Sequence, residues 1–200
     1  MIVPVGEWVL RTVCNQLNSW KSAGIEARPV AVNLSARQFQ QRDLDSVIAV
    51  ILDETKVDAD LLELELTESM LMKDPEEAVA TLEALRAYGV ALAVDDFGTG
   101  YSSLAYLQRF PLDALKIDRA FIRDISTKPD DASIAVAIIT LAHSLKLKVI
   151  AEGVETEAQL NFLRAHGCDE MQGYYFSPAL SVESCTRALT EGRCLPPPTI

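Results

Sequence analysis

Eight polar or charged side chains stand at, or just past, the ends of short apolar runs: Asn33, Glu65, Asp95, Asp96, Lys116, Asp118, Glu152 and Gln172. An ionised carboxylate taken out of water is costly unless it is paired or coordinates a metal. Lys116 alone cannot neutralise so many acids on one face. Oxygen donors with no cysteine or histidine among them select a hard cation such as Mg²⁺ or Mn²⁺. Adjacent Asp95 and Asp96 can share two ions, the pattern of a two-metal phosphoryl-transfer centre. Each residue also has a plainer explanation. Asn33-Leu34-Ser35 suits a turn or a chance glycosylation sequon, and Asp95-Asp96-Phe97-Gly98 a turn. Glu63 and Glu65 suit a solvated strand face, Lys116 a side chain reaching for solvent, and Glu152 a cap before Gly153. What favours chemistry is that all of them fall at the same end of successive strands.

Those strands must be supplied by the apolar runs 29–34, 62–66, 90–94, 114–117, 148–151 and a short 169–172. Between them residues 75–88, 102–109, 131–145, 157–166 and 182–190 carry the three-to-four apolar spacing of amphipathic helices, and a further helix over 6–21 opens the chain. Alternating strands and helices predict a parallel sheet with right-handed crossovers. In Leu62-Glu63-Leu64-Glu65-Leu66 the period of two sends leucines to one face and glutamates to the other. Asp74 before Pro75 predicts a capped helix start, and Gly89 and Gly167 predict helix C-termini. Polar groups at almost every strand end favour the catalytic face of a (β/α) barrel over an open sheet with one switch point.

The chain has 29 acidic against 18 basic residues, a net charge of -11, which opposes the positive field needed to hold a nucleic-acid duplex. A phosphate ester stays compatible once cations neutralise the carboxylates. Cys14, Cys168, Cys185 and Cys194 form no CxxC pair and are expected to be reduced and mostly structural. His143 and His166 are expected in helix-face or cap roles. No apolar run reaches the roughly 20 residues of a membrane helix, and the expected location is cytoplasmic, with no membrane contact by this domain.

Six segments, in order, carry a family resemblance over essentially the whole chain: Val32-Asn33-Leu34-Ser35, Glu63-Leu64-Glu65-Leu66-Thr67-Glu68, Asp95 to Leu104, Leu115-Lys116-Ile117-Asp118-Arg119, Ala151-Glu152-Gly153-Val154-Glu155-Thr156 and Gln172-Gly173-Tyr174. They resemble EAL domains, the bacterial cyclic-di-GMP phosphodiesterases. The resemblance implies a TIM-like (β/α) barrel that hydrolyses cyclic di-GMP to linear pGpG with two Mg²⁺ or Mn²⁺ ions. It implies Asn33, Glu65 and Asp95 as ligands of one ion, and Asp96 with the shared Asp95 as ligands of the other. Lys116 then orients the attacking water and Glu152 assists at it. Asp118, Glu155 and Gln172 lie around the second ion and the substrate. Glu68 anchors the glycine-flanked loop 96–103, which influences dimerisation. A homodimer and flanking sensory or GGDEF modules are the implied partners.

The chain departs from the pattern at its start. The Glu-Ala-Leu motif of an early strand is not found there, nor is a nearby substrate-binding arginine, and Ile2-Val3-Pro4-Val5-Gly6-Glu7-Trp8 resembles the entry to the helix that follows them. The expectation is a domain over 1–193 lacking its first two strands, impaired in turnover on its own and with two bare sheet edges, and a linker or disordered tail over 194–200. The competing possibility is a degenerate EAL domain that senses cyclic di-GMP or contacts a protein without hydrolysis. Retention of Lys116 and Glu152 argues against it, because a receptor has no need to activate water.

Overall fold

The computed structural model describes residues 1–99 and 103–194. Packing divides these into two compact units, residues 1–93 with 103–112 and residues 94–99 with 113–194. The remainder of the glycine-flanked loop, residues 100–102, and the end of the expected tail, residues 195–200, lie outside the described residues.

In the first unit, helix α1 (Ile2–Ser22) begins a turn before its expected start. Pro4 falls in the first turn, where no intrahelical N–H bond is lost. Gly6 therefore lies inside this helix and not at its start, and a Cβ at this position would collide with the amide of Gln38. Leu10, Cys14, Leu17 and Trp20 recur every three or four residues and form the buried stripe of α1. Strands β1 (Val30–Asn33) and β2 (Leu62–Thr67) pair in parallel, with Val30 opposite Leu62 and Asn33 opposite Glu65. A parallel pair needs a long crossover. It contains α2 (Ala36–Phe39), α3 (Leu44–Thr55) and a 3₁₀ turn at Ala59–Leu61, none of which is among the sequence expectations. A capping box between Ser35 and Gln38 starts α2, and α3 buries Leu44, Ile48, Ile51 and Thr55.

After β2 come α4 (Glu68–Leu71) and α5 (Pro75–Arg86). The Asp74 side chain accepts a hydrogen bond from the Glu77 N–H at 3.2 Å, so the expected cap is present. The triplet Glu83-Ala84-Leu85 belongs to α5 and not to a strand. Gly89 follows with φ 89°, a left-handed conformation that ends the helix without a Cβ penalty. Strand β3 (Ala91–Phe97) runs three residues past the apolar run, so Asp95 and Asp96 are within the strand. Strand order in this unit is β1-β2-β3. Helix α6 (Leu104–Leu107) is shorter than expected.

In the second unit the order is β3-β4-β5-β6, built from the end of β3, β4 (Ala114–Ile117), β5 (Lys148–Glu152) and β6 (Glu170–Gln172). Both β4 with β5 and β5 with β6 are parallel. Their connections hold α7 (Arg119–Arg123), α8 (Pro129–Ser144) and α9 (Glu157–Ala165), and α10 (Val182–Thr190) follows. The whole of β4 is buried, and Val149, Ile150 and Ala151 of β5 are buried too, as expected of strands covered on both faces. Among the described residues β1 has β2 as its one strand neighbour and β6 has β5.

All four cysteines are free. Cys14 and Cys168 are buried, and burial pushes the Cys168 thiol up to about 11, the environment of an inert structural thiol. His166 follows the last turn of α9 and stacks on Phe162, while His143 Nε2 bonds Asp169 Oδ2 at 2.9 Å. No helix among the described residues is long and apolar enough to cross a membrane.

Candidate active site

The alternation of β2 works as its sequence requires. Leu62, Leu64 and Leu66 are fully buried on one face, and the other carries Glu63 and Glu65. Glu65 is nonetheless 4% exposed, so it is no solvated strand-face acid. Its Oε2 accepts a hydrogen bond at 2.9 Å from Nδ2 of Asn33, its register partner on β1. Engaging the amide nitrogen in this way leaves Asn33 Oδ1 as the donor available to a cation. Glu68, the first residue of α4, is buried as well.

The second unit assembles the denser group. Lys116 is 2% exposed, which excludes a side chain reaching for solvent. Its Nζ lies 2.5 Å from Glu152 Oε1 and 3.6 Å from Asp95 Oδ1. Consecutive strand residues ordinarily point to opposite faces, and Asp95 and Asp96 escape that rule through the backbone. Asp96 has φ 54°, the left-handed region that a short carboxylate side chain tolerates better than most. Its N–H donates to Asp95 Oδ1 at 2.8 Å. As a result Asp95, Asp96 and Glu152 each offer a carboxylate oxygen, all within 4.8 Å of one another.

Asp118 extends this group. Its Oδ1 accepts from the Ala120 N–H at 2.7 Å, capping α7. Burial, the neighbouring Asp118 carboxyl and the charge of Asp95 together raise the Asp96 carboxyl above its ordinary range, against a lowering by Lys116. Four acids, Asp95, Asp96, Asp118 and Glu152, face the one ammonium of Lys116, so the cluster carries an excess of negative charge. Hard oxygen donors at this spacing match a divalent cation with metal–oxygen bonds of about 2.0–2.4 Å, so the residues fit such an ion.

The structure thus brings Asp95, Asp96, Lys116, Glu152 and Asp118 together, and joins Asn33 to Glu65. Two further expected residues lie on neighbouring elements. Glu155 is exposed and lines a neighbouring cleft with Arg119, and Gln172 is the register partner of Glu152 on β6, its carbonyl accepting from the Val154 N–H at 3.1 Å. Sequence reasoning missed Gln159. This side chain is 4% exposed: its Oε1 accepts from the N–H groups of Glu155 (2.7 Å) and Thr156 (2.9 Å), and its Nε2 donates to the carbonyls of Ile122 (3.2 Å) and Arg123 (3.0 Å). The Thr156-x-x-Gln159 spacing of a capping box was its available signal.

Parallel strands whose polar ends gather acids around one buried lysine define an α/β protein with an acidic cluster able to hold a cation. The chain belongs to the EAL domain family, whose model matches residues 1–179. Over 191 residues it is 49% identical to the cyclic di-GMP phosphodiesterase NbdA of Pseudomonas aeruginosa, covering 94% of this chain and 24% of that protein. Over 186 residues it is 41% identical to the cyclic di-GMP phosphodiesterase PdeR of Escherichia coli, covering 92% and 28%. The chain spans about a quarter of the length of these curated relatives. Among solved structures, the PaMucR phosphodiesterase in complex with c-di-GMP superposes with TM-score 0.89 at 44% identity, covering 92% of this chain and 74% of that one. The EAL domain of Mycobacterium smegmatis DcpA gives TM-score 0.89 at 37% identity, with 95% and 86% covered.

Proposed function

We propose that this chain is the catalytic part of a cyclic-di-GMP phosphodiesterase, opening the ring to linear pGpG with two Mg²⁺ or Mn²⁺ ions. The observation that carries this reading is the buried Lys116 held between Glu152 and Asp95 beside Asp96. A protein that only bound a nucleotide has no use for an ammonium so placed. The names of the relatives NbdA and PdeR support the same substrate.

Asp95 and Asp96 are the cation-holding acids of the second unit, with a carboxylate oxygen of Glu152 within 4.8 Å of theirs, and the resemblance adds Asn33 and Glu65 as ligands. When bound, the ions supply Lewis acidity toward phosphoryl oxygens and lower the pKa of water. Lys116 donates to the oxygen of the attacking water and fixes its line toward phosphorus. Glu152, at 2.5 Å from Lys116, is placed to take the proton that this water gives up. The water oxygen joins phosphorus as its proton passes to Glu152, the bond from phosphorus to the 3′ oxygen breaks, and that oxygen takes up a proton from solvent water. Asp118, Glu155 and Gln172 surround the remainder of the substrate, and Glu68 anchors the 96–103 loop. By the same resemblance the domain forms a homodimer and works beside sensory or GGDEF modules, in keeping with relatives about four times its length.

The test is incubation of purified protein with cyclic di-GMP and Mn²⁺, with products separated by chromatography. Metal-dependent appearance of pGpG is expected. Tight nucleotide binding without product would instead favour the sensor role.

A further inference from the structure

Adjacent strand residues place their carboxylates in one cluster only where the backbone between them turns, and acids so gathered repel one another and tend to open that turn. Asp96 nevertheless keeps φ 54°, a conformation that persists in a residue with a Cβ only where its surroundings enforce it. Part of the enforcement is local. Thr99 Oγ1 donates to the Asp96 carbonyl at 2.8 Å, and the Thr99 N–H reaches the same oxygen at 3.4 Å. The rest comes from the helices. Gly98, with φ 96°, lies so near α7 and α8 that a Cβ on it would come 2.9 Å from Phe121 Cε2 and 3.2 Å from Ile138 Cδ1. The half-buried ring of Phe121 is thus seated directly against the backbone of the turn.

That ring has a fixed base. Helix α7 spans five residues, too few to hold a shape by itself, yet contacts at both ends clamp it. Asp118 Oδ1 accepts from the Ala120 N–H at its start, and the buried Gln159 amide donates to the Ile122 and Arg123 carbonyls at its end. Between the two, a Cβ on Gly153 would come 2.7 Å from Arg119 Cβ, so glycine there lets the loop after β5 close on the helix. The helix also follows β4 directly, so the strand that aims Lys116 into the cluster leads straight into the segment that carries Phe121. A close-packed interior transmits strain instead of absorbing it, and the clamped ring therefore resists movement of Gly98 and of the turn that contains it.

We propose that Phe121 is a positioning residue of the cation centre: its ring, lodged against Gly98, keeps the Asp96 turn closed and so keeps the Asp96 carboxylate beside those of Asp95 and Glu152. This rests on the metal-dependent phosphodiesterase reading above. The test is calorimetric titration of the full chain with Mn²⁺ in the absence of nucleotide, run beside hydrolysis of cyclic di-GMP at increasing Mn²⁺. Phe121→Ala is expected to weaken Mn²⁺ binding about tenfold or more, the usual cost of removing a support behind a metal ligand. The Mn²⁺ concentration at half-maximal rate should rise by a similar factor. Phe121→Leu, which keeps an apolar group without the flat ring, should lie between. A ring that merely stabilised the fold would lower the melting temperature and leave the Mn²⁺ dissociation constant unmoved. Because the effect runs through Asp96, Phe121→Ala should cost little further Mn²⁺ affinity in an Asp96→Asn background. Circular dichroism identifies the folded variants, and if Phe121→Ala is not among them the comparison passes to Phe121→Leu. In a protein that opens cyclic di-GMP, an unmoved Mn²⁺ dissociation constant in the folded Phe121 variant, or losses that multiply in the double variant, overturns the positioning role alone. An unsubstituted chain that neither binds Mn²⁺ nor opens cyclic di-GMP overturns both proposals.

Discussion

Lys116 and Glu152 meet at 2.5 Å between Nζ and Oε1, although register sets Lys116 opposite Ile150. The pair is therefore diagonal: Glu152 lies two residues further along β5, on the same face as Ile150, and its carboxylate reaches back to the ammonium. Both groups are thereby aimed beyond the strand ends toward Asp95 and Asp96, and neither is left as an uncompensated charge in the core.

Replacing Lys116 by methionine keeps the aliphatic length and removes the ammonium. If Lys116 aligns the water and Glu152 takes its proton, Lys116→Met and Glu152→Gln should each lower kcat by about 100-fold or more with KM little changed, the size of a lost positioned acid–base group. The double variant should lose little beyond either single one, because the two act as a unit. Steady-state kinetics with cyclic di-GMP decides the matter. Independent, multiplying losses would argue against the shared role.

Cation binding can be followed without turnover. A ligand held only by the folded state adds about 2.7 kcal/mol at a hundredfold excess over its Kd, so Mn²⁺ should raise the melting temperature. Asp95→Asn removes an oxygen charge from the cluster of Asp95, Asp96 and Glu152 and should abolish most of that rise. Ca²⁺ should stabilise too, yet support little hydrolysis, because its longer and looser bonds misplace the reacting groups. Equal rates with Ca²⁺ and Mg²⁺ would sink the assignment, as would an undiminished Mn²⁺ shift in Asp95→Asn.

Gln159 offers a stability prediction separate from the chemistry. Gln159→Leu leaves the carbonyl of Arg123 and the N–H groups of Glu155 and Thr156 without the Gln159 amide, and takes one of its donors from the carbonyl of Ile122, which keeps the Ile125 N–H at 3.3 Å. An unpaired buried polar group costs about 1–3 kcal/mol, and some of these four can turn to water, so a loss of at least about 2 kcal/mol is expected in urea unfolding. A change within about 0.5 kcal/mol, the usual range of an inconsequential surface substitution, would mean that the cleft walls hold without it.

How much of this was legible in the sequence follows from the length of each signal. All six strands were visible, five of them because an apolar run ending in a polar group needs only four or five residues, and β6, Glu170-Met171-Gln172, by its place after a helix closed by Gly167. Asp95, Asp96, Lys116 and Glu152 were visible with them, as strand-end residues. Helix α3 was not, because Val47-Ile48-Ala49-Val50-Ile51-Leu52 is an unbroken apolar, β-branched stretch whose period is ambiguous. Helices α2, α4 and α7 span four or five residues, too few to display any period. The left-handed turn at Asp96 was hidden as well, since it lies in the middle of an Asp-Asp pair, without a glycine to mark it.

Asp169 ties three parts of the second unit: its Oδ2 accepts from the Val149 N–H of β5 at 2.8 Å and meets Nε2 of His143, on α8, at 2.9 Å. Partial burial alone would raise its carboxyl. The His143 hydrogen bond, the Val149 N–H and the positive charges of His143 and Lys148 outweigh that and hold it below its ordinary 3.8. A carboxylate depressed in the folded state contributes stability that is present above the unfolded value and is lost as pH falls through the folded one. Asp169→Asn should therefore melt lower than the unsubstituted chain near about pH 7, with the gap closing below about pH 4 as the native carboxyl protonates. His143→Leu should show part of the same convergence, because one of the groups holding the carboxyl down is gone. Melting curves across that range provide the check, and a gap that stays constant down to about pH 2 would mean that the Asp169 charge takes no part in holding β5, β6 and α8 together.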